Sequence, residues 1–242
     1  MPSQDVQCKL VLIGNGSVGK SSIIRRFTTD GFQRSYKQTV GVDFFEKRID
    51  VQGDGLRVNL QVWDVGGQSL SSTMLPKYFH GARLIFLCYD ITDPQSFGDL
   101  EDWINAVHRE FKCKPDGKPT STPDIYLIGN KIDLIGLRQT TEASHNQFVK
   151  VHSLAGGFYC SALSGDNILR GFYTAVSRVV GVSLSSYELG FFDRPVGITV
   201  EAAQGETVED GGRTPWADAI EAEDIALEAA KADRARKICL CM

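Results

Sequence analysis

The sequence has no long apolar run, no disulfide framework and no excess of positive charge, and each absence removes a class of function. Its longest apolar stretch runs only from Leu84 to Tyr89, whereas a bilayer-spanning helix needs about 20 residues. The opening Met1-Pro2-Ser3-Gln4-Asp5 carries neither the positive charge nor the apolar segment of a secretory signal. Proline at position 2 excludes N-terminal myristoylation, which requires glycine there. Six cysteines, at 8, 88, 113, 160, 239 and 241, lack the spacing of a disulfide-stapled domain, and no Cys/His set has zinc-ligand spacing. A reducing, cytoplasmic setting is expected. The net charge of -4 conceals an asymmetry, because residues 1–182 carry 20 Lys+Arg against 18 Asp+Glu and residues 183–242 carry 6 against 12. Neither part offers the basic face that a nucleic acid requires, so no nucleic-acid partner is expected.

What is present begins with Gly14-Asn15-Gly16-Ser17-Val18-Gly19-Lys20-Ser21, between the apolar run Lys9 to Ile13 and a helix-like Ile23 to Phe27. This is the strand, glycine loop and helix of a phosphate cradle. Glycines let backbone N–H groups turn inward around a phosphate, the helix N-terminus adds partial positive charge, and Lys20 adds a full one. The polar stretch 32–39 reads as a long loop before a strand. Alternation then predicts a hairpin from strands Asp43 to Val51 and Leu56 to Trp63, turned by Gly53-Asp54-Gly55. Asp64 follows at the strand end, where a carboxylate beside a phosphate loop can hold magnesium, and the glycines Gly66 and Gly67 allow close approach to a γ-phosphate.

The run Leu84 to Asp90 reads as a strand buried on both faces, and Ser96 to Phe111 as a helix whose stripe of Phe97, Leu100, Trp103, Ile104, Val107 and Phe111 is core. Residues 112–124 read as a surface insertion. A further strand, Asp124 to Gly129, delivers Asn130-Lys131-Ile132-Asp133 to the same rim as the phosphate loop. The Asp133 carboxylate can accept from guanine N1–H and its 2-amino group, an arrangement that adenine cannot offer. A helix over Glu142 to Val151, a short strand Gly157 to Cys160, the strand-end triplet Ser161-Ala162-Leu163 and a closing helix Asn167 to Val180 complete the count. The expected fold is a P-loop NTPase fold: α/β, doubly wound, with a mostly parallel six-stranded sheet and one antiparallel edge strand, occupying residues 1–182. Residues 183–242 read as a flexible acidic tail with a helix over 215–236. The chain ends Cys239-Leu240-Cys241-Met242, a C-a-a-X pattern whose terminal Met favours a farnesyl group on Cys239. Lipids on both Cys239 and Cys241 are the alternative.

In order and spacing these motifs resemble the Ras superfamily of small GTPases over roughly residues 8–181. Tyr36-Lys37-Gln38-Thr39-Val40-Gly41-Val42-Asp43-Phe44-Phe45 and Tyr89-Asp90-Ile91-Thr92 look like the Rab branch. Trp63-Asp64-Val65-Gly66-Gly67-Gln68 departs from it, since most Rabs carry alanine in place of Gly66. The Arf family shares that string but carries a myristoylation glycine and a different loop 32–41. Together with the terminal C-a-a-X, the pattern looks most like the Rab twenty-eight branch.

The resemblance implies a GTP/GDP switch in vesicle trafficking that hydrolyses GTP with Mg2+. It implies a nucleotide site of Gly16, Ser17, Val18, Gly19, Lys20, Ser21 and Ser22, with Phe32 and the Lys131 stem on the base. Thr39 and Gly67 would meet the γ-phosphate, Asn130 and Asp133 would read the guanine, and Ser161, Ala162 and Leu163 would complete the site, the Ala162 amide on the guanine carbonyl. Ser21, Thr39 and Asp64 would hold the metal, and Gln68 would orient the attacking water. No arginine is placed by motif as a cis finger, so hydrolysis is expected to be slow and to depend on a GTPase-activating protein. The remaining implied partners are an exchange factor, effectors of the GTP form, a prenyl transferase, a prenyl-binding chaperone and, through the lipid, the cytosolic face of a membrane. A GTP-binding scaffold that does not cycle is the alternative, against which Gln68 argues.

Overall fold

The structure is a computed structural model and describes residues 4–32, 37–51, 56–111 and 122–192. Six strands, β1 (Gln4–Ile13), β2 (Val42–Asp50), β3 (Leu56–Val65), β4 (Leu84–Asp90), β5 (Asp124–Asn130) and β6 (Gly156–Tyr159), form one sheet in the order β2-β3-β1-β4-β5-β6. All neighbours pair parallel except β2 and β3, giving the expected antiparallel edge. Every residue of β4 is buried, as its unbroken apolar run requires of a central strand covered on both faces.

Alternate side chains feed two cores. Leu10, Leu12, Val62, Phe86 and Ile128 face α1 (Lys20–Thr29) and α6 (Ile168–Val180), where Phe27 and Phe172 stack with centroids 3.9 Å apart. Val11, Ile13, Ile85, Leu87 and Leu127 belong to the other core with Phe79 of α2 (Leu75–Phe79), Trp103 of α4 (Leu100–Phe111) and Phe148 of α5 (Glu142–Val151). Each fully buried apolar side chain contributes about 1.5–3 kcal/mol, and the parallel strands bring their carboxyl ends to one rim.

Several bounds differ from the sequence reading. Strand β1 starts at Gln4 because Val6 and Cys8 alternate with exposed Asp5 and Gln7 while the strand pairs with β3 from Gln4 to Leu12. Strand β3 runs on through Asp64 and Val65, which pair with Asp43 and Val42. The helix read as Ser96 to Phe111 is two: α3 (Pro94–Gly98), capped by Asp93, ends at Asp99, and α4 begins one residue later. Folded chain also continues beyond residue 182. Val182 and Leu184 pack on the first core, Ser185 and Glu188 form a capping box at the head of α7 (Ser186–Phe191), and Phe192 stacks on Tyr173 at 4.4 Å. The hairpin turn 53–55, most of the insertion 112–124, the helix 215–236 and the terminal Cys239 motif lie outside the described residues. Among the described residues no helix is long and apolar enough to cross a membrane.

Candidate functional site

The loop after β1 turns through three residues of positive φ: Gly14 (+133°), Ser17 (+64°) and Gly19 (+97°). A side chain at Gly14 would run into the Cys88 carbonyl of β4, and one at Gly19 into the Asn130 amide. The loop therefore lies directly on the ends of the central strands. Among the described residues no side chain caps α1, which leaves its leading amides to an anion. The Lys20 ammonium donates to the Gly14 and Asn15 carbonyls, each at 2.7 Å. Burial pushes its pKa down, a cost that a neighbouring phosphate would offset.

This loop forms one wall of a cavity of about 510 Å³. Of the residues expected at the site, Gly16, Ser17, Gly19, Lys20, Ser21, Ser22, Phe32, Thr39, Gly67, Gln68, Asn130, Lys131, Asp133, Ala162 and Leu163 line it. Val18, Asp64 and Ser161 are buried and do not line it. At one end Ser21 Oγ donates to Asp64 Oδ2 at 2.5 Å, and Thr39 Oγ1 stands 3.1 Å from Ser21 Oγ and 3.3 Å from the same carboxylate oxygen. The other oxygen, Asp64 Oδ1, is buried with no hydrogen-bond partner among the described residues, and burial raises the pKa of this carboxyl. Two hydroxyls converging on one desolvated carboxylate form a hard-oxygen donor set, and it fits a magnesium ion that completes its shell with water and phosphate oxygens. A side chain on Gly67 would strike the Gly16 amide, so only bare backbone fits between β3 and the phosphate loop. Gln68 is exposed on the cavity wall, in a 3-10 turn over Gly67–Ser71.

At the opposite end Asp133 Oδ1 accepts from Ser161 Oγ at 2.5 Å, which fixes the carboxylate. Lys131, at φ +69°, sends its ammonium to Asp90 Oδ2 at 2.6 Å, which holds the stem along the wall. The same end shows how Asn130 and Ala162 are held. Asn130 uses its side chain on the protein: Nδ2 donates to the Val18 carbonyl at 2.8 Å, and Oδ1 accepts from the Ala162 amide at 3.1 Å. Asn130 thus ties the phosphate loop to the 161–163 loop through the Ala162 N–H. Burial calls for such partners, and the Nδ2 group has a second N–H on a residue that lines the cavity.

Three features were missed by sequence reasoning. Asn15 receives the Trp103 indole N–H at 3.0 Å and donates to Asp99 Oδ2 at 2.7 Å, which moors the phosphate loop to α4. The signal was available, since a buried Trp seeks an acceptor for its N–H. Arg25 and Lys37 add positive charge to the cavity wall. Arg26, on α1, donates to the Ala162 carbonyl at 3.1 Å, to the Leu163 carbonyl at 2.5 Å and to the Asp30 carbonyl at 3.0 Å. It clamps the 161–163 loop to the helix that begins at Lys20. Removing the guanidinium loses two charge-assisted bonds to that loop, so Arg26→Ala is expected to release bound GDP and a GTP analogue faster by the same factor, about tenfold or more. Stopped-flow dissociation of fluorescent nucleotides measures this, and unchanged rates would remove Arg26 from the site.

Comparison with known proteins places this geometry. The model of the Ras family matches residues 9–181. The chain is 37% identical over 206 residues to the Ras-related protein Rab-28 of Caenorhabditis elegans, covering 85% of this chain and 77% of that one. It is 34% identical over 185 residues to the GTP-binding protein YPT1 of Saccharomyces cerevisiae (76% and 84%). It is 36% identical over 146 residues to the GTP-binding protein yptV2 of Volvox carteri (60% and 63%). A family match across most of the chain, on the fold and cavity just described, assigns the protein: it belongs to the Ras family, as a Rab-like small GTPase.

Proposed function

We propose that this GTPase is a slow-cycling molecular switch of intracellular vesicle trafficking. The observation that carries the reading is the convergence of the Ser21 and Thr39 hydroxyls on Asp64 at one end of the cavity that holds Asp133 at the other. In this reading Lys20, Ser22 and the 16–19 loop bind phosphates, Ser21, Thr39 and Asp64 hold Mg2+, and Gly67 and Thr39 respond to the γ-phosphate. Gln68 orients the water, Asp133 reads the guanine edge, and Phe32, Lys131 and Leu163 flank the base. Loss of the γ-phosphate removes the ligand that keeps Thr39 in place, so loop 37–41 opens on hydrolysis.

An aromatic face beside that loop supports effector binding. Phe44 is 60% exposed on the edge strand β2, meets Trp63 edge-on at 4.5 Å, and Trp63 lies 6.4 Å from Tyr78 of α2. These rings sit between the two segments that the γ-phosphate governs, so a partner covering them senses the bound nucleotide. The tail beyond residue 192 serves as the tether, with a prenyl group on Cys239 giving reversible attachment to a cytosolic membrane face. An exchange factor, a GTPase-activating protein, a prenyl transferase and a prenyl-binding chaperone complete the cycle.

The test is single-turnover hydrolysis of pre-bound GTP in magnesium. The parent is expected to be slow, and Gln68→Leu slower by on the order of tenfold or more. Equal, negligible rates in both would favour a GTP-binding scaffold that does not cycle.

A further inference from the structure

We propose that Asn15 is a positioning residue of the phosphate loop, held to the joint between α3 and α4 by a donor–acceptor match with Trp103 and Asp99, and that retention of nucleotide depends on this match. This rests on the switch reading above and assigns a device within it. Glycines stand on both sides of Asn15, with Gly14 at φ +133°, so the loop has little stiffness of its own there. Its backbone nevertheless has a fixed role. The Asn15 carbonyl accepts from the Lys20 ammonium at 2.7 Å. Gly67 lies against the peptide between Asn15 and Gly16, since a Cβ built on Gly67 would come within 2.5 Å of the Asn15 carbonyl carbon. Displacing this peptide therefore moves the acceptor of Lys20 and the surface under Gly67 together.

The side chain supplies the missing stiffness. Oδ1 accepts the Trp103 indole N–H at 3.0 Å, and Nδ2 donates to Asp99 Oδ2 at 2.7 Å. An indole nitrogen only donates and a carboxylate only accepts, so the amide between them has one orientation. Neither partner is free to drift. Trp103 is fully buried in α4. Asp99, at the break between the helices, donates its N–H to the Gln95 carbonyl at 3.0 Å, and its own carbonyl accepts the Asp102 N–H at 3.1 Å. Its second carboxylate oxygen, Oδ1, takes Gln95 Nε2 at 2.5 Å. A carboxylate at position 15 would still receive the indole N–H, but it would turn its other oxygen on Asp99 with no proton between them, and the like charges would force the loop away. With the two residue types exchanged, the amide at 99 donates to the carboxylate at 15 and keeps its oxygen for Gln95. Every donor then faces an acceptor again.

The experiment uses the full chain as Asn15→Asp, as Asp99→Asn and as the double variant. Dissociation of fluorescent GDP and of a fluorescent GTP analogue is followed by stopped flow in magnesium, and phosphorus NMR of bound Mg-GDP reads the surroundings of the phosphates. We expect Asn15→Asp to release both nucleotides about tenfold faster and to shift the β-phosphate resonance. Asp99→Asn leaves Asn15 a neutral acceptor and is expected to speed release by no more than about fivefold. The double variant is expected to return to within about threefold of the parent, with a parent-like resonance, a rescue that two independent structural lesions would not give. Parent-like release and resonance in Asn15→Asp would overturn the inference, as would a double variant that releases nucleotide as fast as Asn15→Asp. Should Asn15→Asp fail to fold, the double variant decides alone: parent-like retention supports the match, and its loss overturns it. If the parent itself binds neither nucleotide, the switch reading fails first and this inference with it.

Discussion

Replacing Asp133 with asparagine is expected to lower affinity for GTP and GDP by on the order of a thousandfold and to open the site to xanthosine nucleotides. The carboxylate lines the cavity with one oxygen held by Ser161 at 2.5 Å, so its orientation is set before any ligand arrives. Guanine offers two adjacent N–H donors, and each bond to a charged acceptor contributes about 1.5–3 kcal/mol. An amide presents one acceptor and one donor, so the guanine 2-amino group would face an N–H. Xanthine has a carbonyl at that place and complements the amide. Competition by XTP and GTP against a labelled nucleotide reads the exchange directly, and a variant that keeps the parent's preference for GTP would remove Asp133 from base recognition.

The second large effect is acid sensitivity centred on His145. The ring is 1% exposed. Its Nδ1 lies 3.0 Å from the Tyr89 hydroxyl of β4, and the Tyr159 ring of β6 lies 4.4 Å away. Burial, with the Arg138 charge adding to it and Glu142 opposing, pushes its pKa from 6.5 down to about 4. Above pH 6.5 the ring is neutral in both folded and unfolded chains and contributes no pH dependence. Below 6.5 the unfolded chain takes up the proton first, so stability falls as pH drops and stops falling through this group near pH 4. The full loss is about 3 kcal/mol. Urea unfolding at saturating Mg-GDP from pH 7 to 4 should show a steeper decline in the parent than in His145→Gln. Parallel curves would assign the acid sensitivity elsewhere.

The motif residues and the sheet were legible because local chemistry dictates them. The apolar run of β4, the glycine loop before Lys20 and the carboxylates at strand ends each need only neighbours in sequence to be read. What escaped depends on partners far along the chain. Trp103 reads as core from its spacing, yet its N–H goes to Asn15, 88 residues away. Arg26 belongs to no motif, and it spans to Ala162 and Leu163. Asn130 reads as a base reader, and its bonds to the Val18 carbonyl and the Ala162 amide were not legible in the motif. The break at Asp99 escaped because the apolar stripe keeps its phase across it: Phe97 of α3 and Leu100 of α4 serve the same core. The element α7 escaped because the composition change after residue 182 masks a capping box and a single stacked ring.

The helix α1 joins these pieces. Lys20 sits buried at its head, Arg26 grips the 161–163 loop near its foot, and Asp64 lies desolvated across from Ser21. Two of those charges are buried at a cost that a magnesium nucleotide would relieve, so the ligand acts as a missing piece of the interior. A ligand at a hundredfold its Kd adds about 2.7 kcal/mol to folding stability. In a cell, the empty form would thus be the one most exposed to proteolysis, and the abundance of the protein would follow its supply of guanine nucleotide.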